Sequence, residues 1–571
     1  MKPIIEFKNF TFRYQSQKEP SIRDICLSIY PGEKVLIVGP SGSGKSTLAH
    51  CINGLVPFSF PGEVTGELAI AGENPKELGI FGMSKHVGTV LQDTDGQFVG
   101  LTVAEDIAFA LENDRVSTKE MHRRVLEAAG CVEVEALLEH APGELSGGQK
   151  QRVSMAGVMV DDVEVLLFDE PLANLDPLTG KRTMEQIDRI HREKNKTILI
   201  IEHRIEDALC IDVDRVILIN DGQILADTTP KELLAGNLLV ENGIREPLYI
   251  TALKHAGCKI TKEQNPQHME TIELGEMKTE LQEWFEKTKQ PELSSGKDSI
   301  LRVENLSFSY EKGKNVLADI SFDIKAGEMI SIVGKNGAGK STLSGLICGF
   351  YAPDQGNIYW KNQDISALSV KERGEKIGFV LQSPNQMISK PMIYDEVALG
   401  LTVRGVPEAE IKERVDAILR ICGLYPYRNW PVSALSFGQK KRVSIASILV
   451  LNPEVIILDE PTAGQDYRNY TEIMEFLRDM NQRLGVTIIM ITHDMHLMLE
   501  YTDRALVVAD GKLLADTEPA SVLTNEELAN QAYLKKTSLY DLAASCGILD
   551  PTEFVKRFIA FEREERRKQD V

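Results

Sequence analysis

Short apolar runs recur at matching places in the two halves of the chain. KVLIVG (34–39), EVLLFDE (164–170) and TILIIEH (197–203) belong to the first half; MISIVG (329–334), EVIILDE (454–460) and TIIMITH (487–493) belong to the second. Apolar runs of this length without polar alternation predict strands buried on both faces, as in a parallel sheet. Amphipathic, charged stretches such as VSTKEMHRRVLEAAG (116–130) lie between them and predict helices. Strands alternating with helices predict an α/β sheet domain whose ligands meet the C-terminal ends of the strands.

The halves read as one duplicated domain. Their glycine-rich loops start 295 positions apart, at Gly39 and Gly334, while the loops LSGGQ and LSFGQ and the histidines His203 and His493 are 290 apart. The repeat extends to DGQILADTTP from Asp221 and DGKLLADTEP from Asp510, and to Leu248-Tyr249 and Leu539-Tyr540 in helix-like tails. The expected domains are 1–240 and 301–525, with a helical tail and linker at 241–300 and a helical tail at 526–571. Within the former, residues 262–300, with KEQNPQHME and KQPELSSGKDS, read as linker. The final FEREERRKQDV reads as a solvated helix end.

Composition narrows the function. The 571 residues suit several domains, and 43% hydrophobic with 26% charged residues is globular. No run approaches the roughly 20 apolar residues of a membrane span, and MKPIIEFKNF lacks the apolar core of a signal peptide, so direct membrane insertion is not expected. A formal charge of −21 disfavours nucleic acid and anionic lipid. The cysteines at 26, 51, 131, 210, 258, 348, 422 and 546 form no CxxC pair, against zinc and a disulfide framework.

GPSGSGKS (39–46) and GKNGAGKS (334–341) each follow an apolar strand and precede a helix-like segment. Glycines there let backbone amides turn toward phosphate oxygens, the helix N-terminus favours the anion, and Lys45 or Lys340 neutralises β/γ charge. Ser46 and Ser341 are candidate Mg²⁺ ligands. Asp169-Glu170 and Asp459-Glu460 end apolar strands, where the aspartate can join the Mg²⁺ shell and the glutamate can activate water.

Together these motifs resemble the ATP-binding-cassette (ABC) ATPases over nearly the whole chain. The resemblance implies an α/β fold of two tandem P-loop NTPase domains. Each has a mainly parallel sheet core, an antiparallel β subdomain, a helical signature subdomain and a helical C-terminal tail. It implies ATP and Mg²⁺ as ligands. Tyr14 and Tyr310 would stack on adenine. Gly39, Pro40, Ser41, Gly42, Ser43, Gly44, Lys45, Ser46 and Thr47, with Gly334, Lys335, Asn336, Gly337, Ala338, Gly339, Lys340, Ser341 and Thr342, would surround phosphate. Gln92 and Gln382 match the glutamine that senses Mg²⁺ beside Ser46, Asp169, Ser341 and Asp459, and His203 and His493 match the switch histidine acting with Glu170 and Glu460. ANLD (173–176) and AGQD (463–466) match the loop crossing between cassettes.

In that family two cassettes pair head to tail. Ser146, Gly147, Gly148 and Gln149 would serve the nucleotide held by Lys340; Ser436, Phe437, Gly438 and Gln439 would serve the one held by Lys45. Phe437, where the first copy has Gly147, would then tune the first site. Both sets of catalytic residues are complete, so both sites are expected to hydrolyse ATP.

LQDTDGQFVGLTVAEDIAFAL (91–111) and LQSPNQMISKPMIYDEVALGL (381–401) resemble the energy-coupling-factor (ECF) importer ATPases, with Gln97 set against Gln386 and Thr94-Asp95 against Pro384-Asn385. In these a groove near Gln92 or Gln382 receives a separate transmembrane subunit; Glu105-Asp106 and Asp395-Glu396 are candidates for its rim or for solvated helix starts. The tails LYITALKHAGC and LYDLAASCGIL are similar to that group's extra helices. The expected partners are integral membrane transporter subunits, the cargo a vitamin or other micronutrient, and the place the cytoplasmic face of the membrane. The rival is a soluble tandem-cassette translation factor on the ribosome. Residues 231–300, the candidate RNA-reaching linker, carry net charge −3, which opposes that role. A DNA-repair or chromosome-structure ATPase would need long coiled coils or zinc sites interrupting the cassette, and neither is present in the sequence.

Overall fold

The structure is a computed structural model that describes residues 2–290, 298–311 and 313–569. The chain divides into two compact units, residues 1–286 with 466–468 and 541–549, and residues 287–465 with 469–540 and 550–571. Each unit carries two sheets.

In the first unit, β1 (Ile5–Tyr14), β2 (Ile22–Ile29) and β4 (Gly62–Ile70) form an antiparallel sheet in the order β2-β1-β4. Burial alternates along β1 with a change of phase at a register irregularity between Phe7 and Phe10, which places Ile5, Phe7, Phe10 and Phe12 inward. A second sheet runs β5-β6-β7-β3-β8-β9, built from β3 (Lys34–Val38), β5 (Val87–Val90), β6 (Val165–Asp169), β7 (Thr197–Ile201), β8 (Arg215–Asn220) and β9 (Gln223–Thr228). Its strands are parallel except for the β8–β9 hairpin. All of β3 and β7 is buried, as the unbroken apolar runs predict. Register sets the chemistry: Ile201 pairs with Ile37 on one side and Asp169 on the other, so Gly39, Glu170 and Glu202 leave the sheet at one edge.

The second unit repeats this plan. β10 (Ser299–Ser309), β11 (Asn315–Lys325), β13 (Gln355–Trp360) and β14 (Gln363–Asp364) form the antiparallel sheet β11-β10-β13-β14. β12 (Met329–Val333), β15 (Ile377–Val380), β16 (Val455–Asp459), β17 (Thr487–Ile491), β18 (Arg504–Ala509) and β19 (Lys512–Thr517) form the sheet β15-β16-β17-β12-β18-β19. Ile491 pairs with Ile332 and Asp459, repeating the register of the first unit. Arg373, 1% exposed, donates to the carbonyls of Leu346, Ile347, Ser366 and Leu368 at 2.7–3.2 Å. It thereby places a cation at the C-terminus of the helix Lys340–Cys348, where the helix dipole is negative.

Two expectations change. Much of the segment read as linker is folded: Met269, Ile272, Leu274 and, on the helix Met277–Lys287, Met277 and Leu281 are buried. Residues 291–297 of that segment lie outside the described residues. The C-terminal helix Pro551–Gln569 is not a solvated end either. Phe554 and Phe558 are fully buried, Arg563 Nε donates to the Glu500 carbonyl at 2.5 Å, and Arg566 meets the buried Glu500 carboxylate at 2.9 Å. A sequence rich in charge concealed this because Glu500 lies more than 60 residues away, beyond any local pattern. Among the described residues no helix is long and apolar enough to cross a membrane.

Candidate functional site

The phosphate loops sit between β3 and the helix Lys45–Ile52, and between β12 and the helix Lys340–Cys348. A Cβ on Gly39 would stand 2.1 Å from the Ile219 carbonyl oxygen and one on Gly334 1.9 Å from that of Val508, so only glycine fits beside the neighbouring strand. Gly44 and Gly339 N-cap the helices with left-handed backbone and no side-chain acceptor, leaving first-turn amides for an anion. Lys45 Nζ donates to the carbonyls of Gly39 (2.8 Å) and Pro40 (2.9 Å), and Lys340 Nζ to those of Gly334 (2.8 Å) and Lys335 (2.9 Å). Burial pushes the Lys45 pKa down against the pull of Glu170 and other carboxylates. Such an ammonium gains a better partner when phosphate replaces carbonyls. Ser46 and Ser341 are exposed at the loop mouth, and the Ser43 hydroxyl is buried without a partner.

Tyr14 lies beside the first phosphate loop: its hydroxyl meets Thr47 Oγ1 at 3.2 Å and its ring stands edge-on to Phe60, 6.1 Å between centroids. Tyr310 repeats this with Thr342 Oγ1 at 3.0 Å and Tyr351 at 5.4 Å.

At the sheet edge the acidic pairs meet their histidines. Gln92 Nε2 donates to Glu170 Oε2, and His203 Nε2 stands 3.4 Å from the same oxygen. In the second unit His493 Nδ1 lies 2.7 Å from Glu460 Oε1. Both glutamates have left-handed backbone, φ 50° and 44°, with their amides donating to Ile201 and Ile491. Burial disfavours the Glu170 carboxylate, but the hydrogen bond and charge of His203 win, and its pKa falls below the ordinary value. Burial likewise opposes a charged His203, and Glu170 with Glu202 raises its pKa nonetheless. Asp169 goes the other way: burial and the Glu170 charge push it up to about 6.

The oxygen donors Ser46, exposed at the loop mouth, and Asp169, whose carboxylate is unfavourable without a cation, are of the kind that fits a Mg²⁺ ion. The raised pKa has a measurable result. Between about pH 4 and 6 the folded chain binds more protons at Asp169 than the unfolded chain, so this group's contribution to stability is lost as pH rises through that window. Nucleotide-free Asp169→Asn is therefore expected to exceed the natural chain by about 1–3 kcal/mol near pH 8. Urea unfolding should show the gain vanishing toward pH 4; a gain independent of pH would refute this account of Asp169.

Ser146 and Ser436 N-cap the helices Gly147–Met159 and Phe437–Leu449. Each closes a capping box, with Gln149 accepting from Ser146 N at 2.8 Å and Gln439 from Ser436 N at 3.0 Å. A Cβ on Gly148 would stand 2.6 Å from Thr179 Cγ2, whereas one on Gly147 meets nothing closer than Leu175 at 3.7 Å. That openness accounts for Phe437, which is 41% exposed.

The glutamine loops are fixed from within. Leu91 N donates to Gln97 Oε1 at 3.2 Å; the matching bond from Leu381 N goes to Met387 Sδ at 3.2 Å, so Met387 and not Gln386 occupies the place of Gln97. Matching glutamine to glutamine misplaced the correspondence by one residue. Glu105 accepts from Leu101 and Thr102, Asp106 from Val99 and Gly100, and Glu396 from Ser389 and Lys390. These acids hold backbone and are not simply solvated helix starts.

Sequence reading passed over two buried charges here. Glu202 is 1% exposed, and Lys441, fully buried, donates to the carbonyls of Leu381 (2.9 Å) and Gln382 (2.8 Å). Burial pushes the Lys441 pKa down to about 8. Their signal was a departure between copies: Glu202 against Thr492, and Lys441 against Gln151.

The ABC transporter family model matches residues 22–173 and 317–463, and a model described as ATP-binding cassette cobalt transporter matches 236–308. A Clostridium perfringens (strain 13 / Type A) protein is 59% identical over 98% of this chain and 99% of its own. One of Enterococcus faecalis (strain ATCC 700802 / V583) is 59% identical over 99% of both chains. Both bear the name "Putative ABC transporter ATP-binding protein". The solved structure of cbiO1 from Clostridium perfringens, described as part of the ABC transporter complex cbiONQ, is 39% identical over 41% of this chain and 94% of its own, with a TM-score of 0.39. The chain belongs to the ABC transporter ATP-binding proteins and is an ATPase with two cassettes in one polypeptide.

Proposed function

We propose that this ATPase energises an ECF-type importer of a vitamin or other micronutrient, working at the cytoplasmic face of the membrane through separate integral subunits. The observation that carries the reading is the loop after Gln92. Val99 and Leu101 are 63% and 82% exposed on backbone that Glu105 and Asp106 pin in place, an apolar surface held ready for a helix of a membrane partner. The match of 236–308 to a model described as a cobalt transporter supports transport by a small cargo system.

At each site Lys45 or Lys340 would bind β/γ-phosphate, with Tyr14 or Tyr310 against adenine. Mg²⁺ would be held by Ser46, Gln92 and Asp169, or by Ser341, Gln382 and Asp459, and would supply charge neutralisation on the phosphates. Glu170, held by Gln92 and His203, would orient the attacking water and take its proton; Glu460 with His493 would do the same. The cassettes would pair head to tail, so that Ser436 serves the nucleotide of Lys45 and Ser146 that of Lys340.

Mild-detergent affinity purification from the source membrane tests the assignment. Small integral membrane proteins in stoichiometric amount are the expected result; ribosomes instead would establish the translation-factor rival.

A further inference from the structure

The two sites share their motif residues and differ in what holds them. In the first unit the Glu202 carboxylate is buried directly after β7. Its Oε1 accepts from the backbone amides of His203 (2.8 Å) and Arg204 (3.1 Å), and its Oε2 accepts from the amide of Leu172 (3.3 Å). Arg204 returns the connection by donating a guanidinium N–H to the Leu172 carbonyl, and Gln151 Nε2 donates to the carbonyl of Pro171. One side chain thus joins the segment bearing the switch histidine to the segment that follows Glu170; Arg204 braces the same two loops, and Gln151 holds the loop after Glu170 from the helix Gly147–Met159. In the second unit Thr492 stands at the position of Glu202, and its hydroxyl accepts from Asp494 N within its own loop at 2.9 Å. Asp494, in the place of Arg204, caps the next helix by accepting from His496 N at 2.8 Å. Lys441, in the place of Gln151, holds the glutamine loop.

We propose that Glu202 is a positioning residue of the first ATP site, locking His203 and the loop after Glu170 into one frame, and that the second site works without this frame. A frame bonded to backbone at three amides fixes the His203–Glu170 approach before nucleotide arrives, which raises turnover more than affinity. The two sites are therefore unequal in kcat although both are complete. The inference rests on the reading of Glu170 and His203 as hydrolytic machinery.

The test uses the purified full chain. Glu460→Gln isolates first-site turnover and Glu170→Gln isolates the second. In the first background Glu202→Thr, which installs the second unit's residue, is expected to lower kcat on the order of tenfold, with KM for ATP within about twofold. Glu202→Gln, which keeps one acceptor oxygen, should lose roughly threefold. In the second background Glu202→Thr should leave kcat within about twofold of its parent. Arg204→Met keeps the carboxylate and supplies an independent variant should Glu202→Thr fold poorly; it too should lower first-site kcat. An effect confined to KM, an equal fall at both sites, or unchanged first-site kcat in Glu202→Gln and Arg204→Met would overturn the proposal. Failure of the underlying reading is a different result, since Glu170→Gln would then itself leave first-site hydrolysis intact.

Discussion

Glu170→Gln and Glu460→Gln, made singly, are each expected to reduce hydrolysis at their own site by roughly 10²–10⁴-fold, the range of a lost general base. Each single variant then retains only the other site's share of steady-state turnover, and the double variant falls to background. Size and shape barely change in Glu→Gln, so folding and nucleotide binding should persist. The amide cannot take a proton, and it no longer offers a second anionic oxygen to His203, which lies 3.4 Å from the Glu170 carboxylate. Burial presses against an ionised Glu170, while His203 and Lys45 hold it below its ordinary pKa. It is therefore a charged acceptor at neutral pH. Phosphate release by the purified variants measures the effect; a single variant with undiminished turnover would remove that cassette from the hydrolytic pair.

Ser436→Arg should cut turnover at the site holding Lys45 by about 10², the scale of a lost oxyanion-type donor. The structure adds a cost within the second unit: Ser436 Oγ accepts from Gln439 N at 3.3 Å, and losing a serine cap costs about 1 kcal/mol. Ser436→Ala carries that cost without the bulk and charge of arginine, and it is the proper control. The assay is made in the Glu460→Gln chain, where only the Lys45 site turns over. If Ser436→Arg spared that site and instead slowed the Lys340 site in the Glu170→Gln chain, the head-to-tail assignment would be reversed. Phe437→Gly, at a half-exposed position whose glycine counterpart has room for a side chain, should leave folding unchanged, so any change in Lys45-site turnover reports on nucleotide contact.

Much of this was legible from local pattern. The apolar runs gave three strands of each central sheet, β3, β6 and β7 in the first and β12, β16 and β17 in the second, because a strand buried on both faces needs an unbroken hydrophobic segment. The phosphate loops were readable because Gly39 and Gly334 have no alternative beside the strand carbonyls of Ile219 and Val508. What escaped was tertiary. Glu202, Lys441 and Arg373 are charges whose burial depends on distant backbone, and a polar letter in a sequence carries no mark of burial. The same holds for Arg563 and Arg566 on the final helix, whose partners lie around Glu500. Met387 was missed because equivalence in space follows the hydrogen bond to Leu381 N and not residue identity.

One polypeptide with two complete ATP sites should hold two nucleotides at once. The most direct test is nucleotide stoichiometry: the Glu170→Gln/Glu460→Gln chain, incubated with ATP and Mg²⁺ and freed of unbound nucleotide by gel filtration, is assayed for ATP per chain. Two ATP molecules per chain are expected, falling to one with Lys45→Ala or Lys340→Ala. A single ATP in the double glutamine variant, or none, would contradict that expectation.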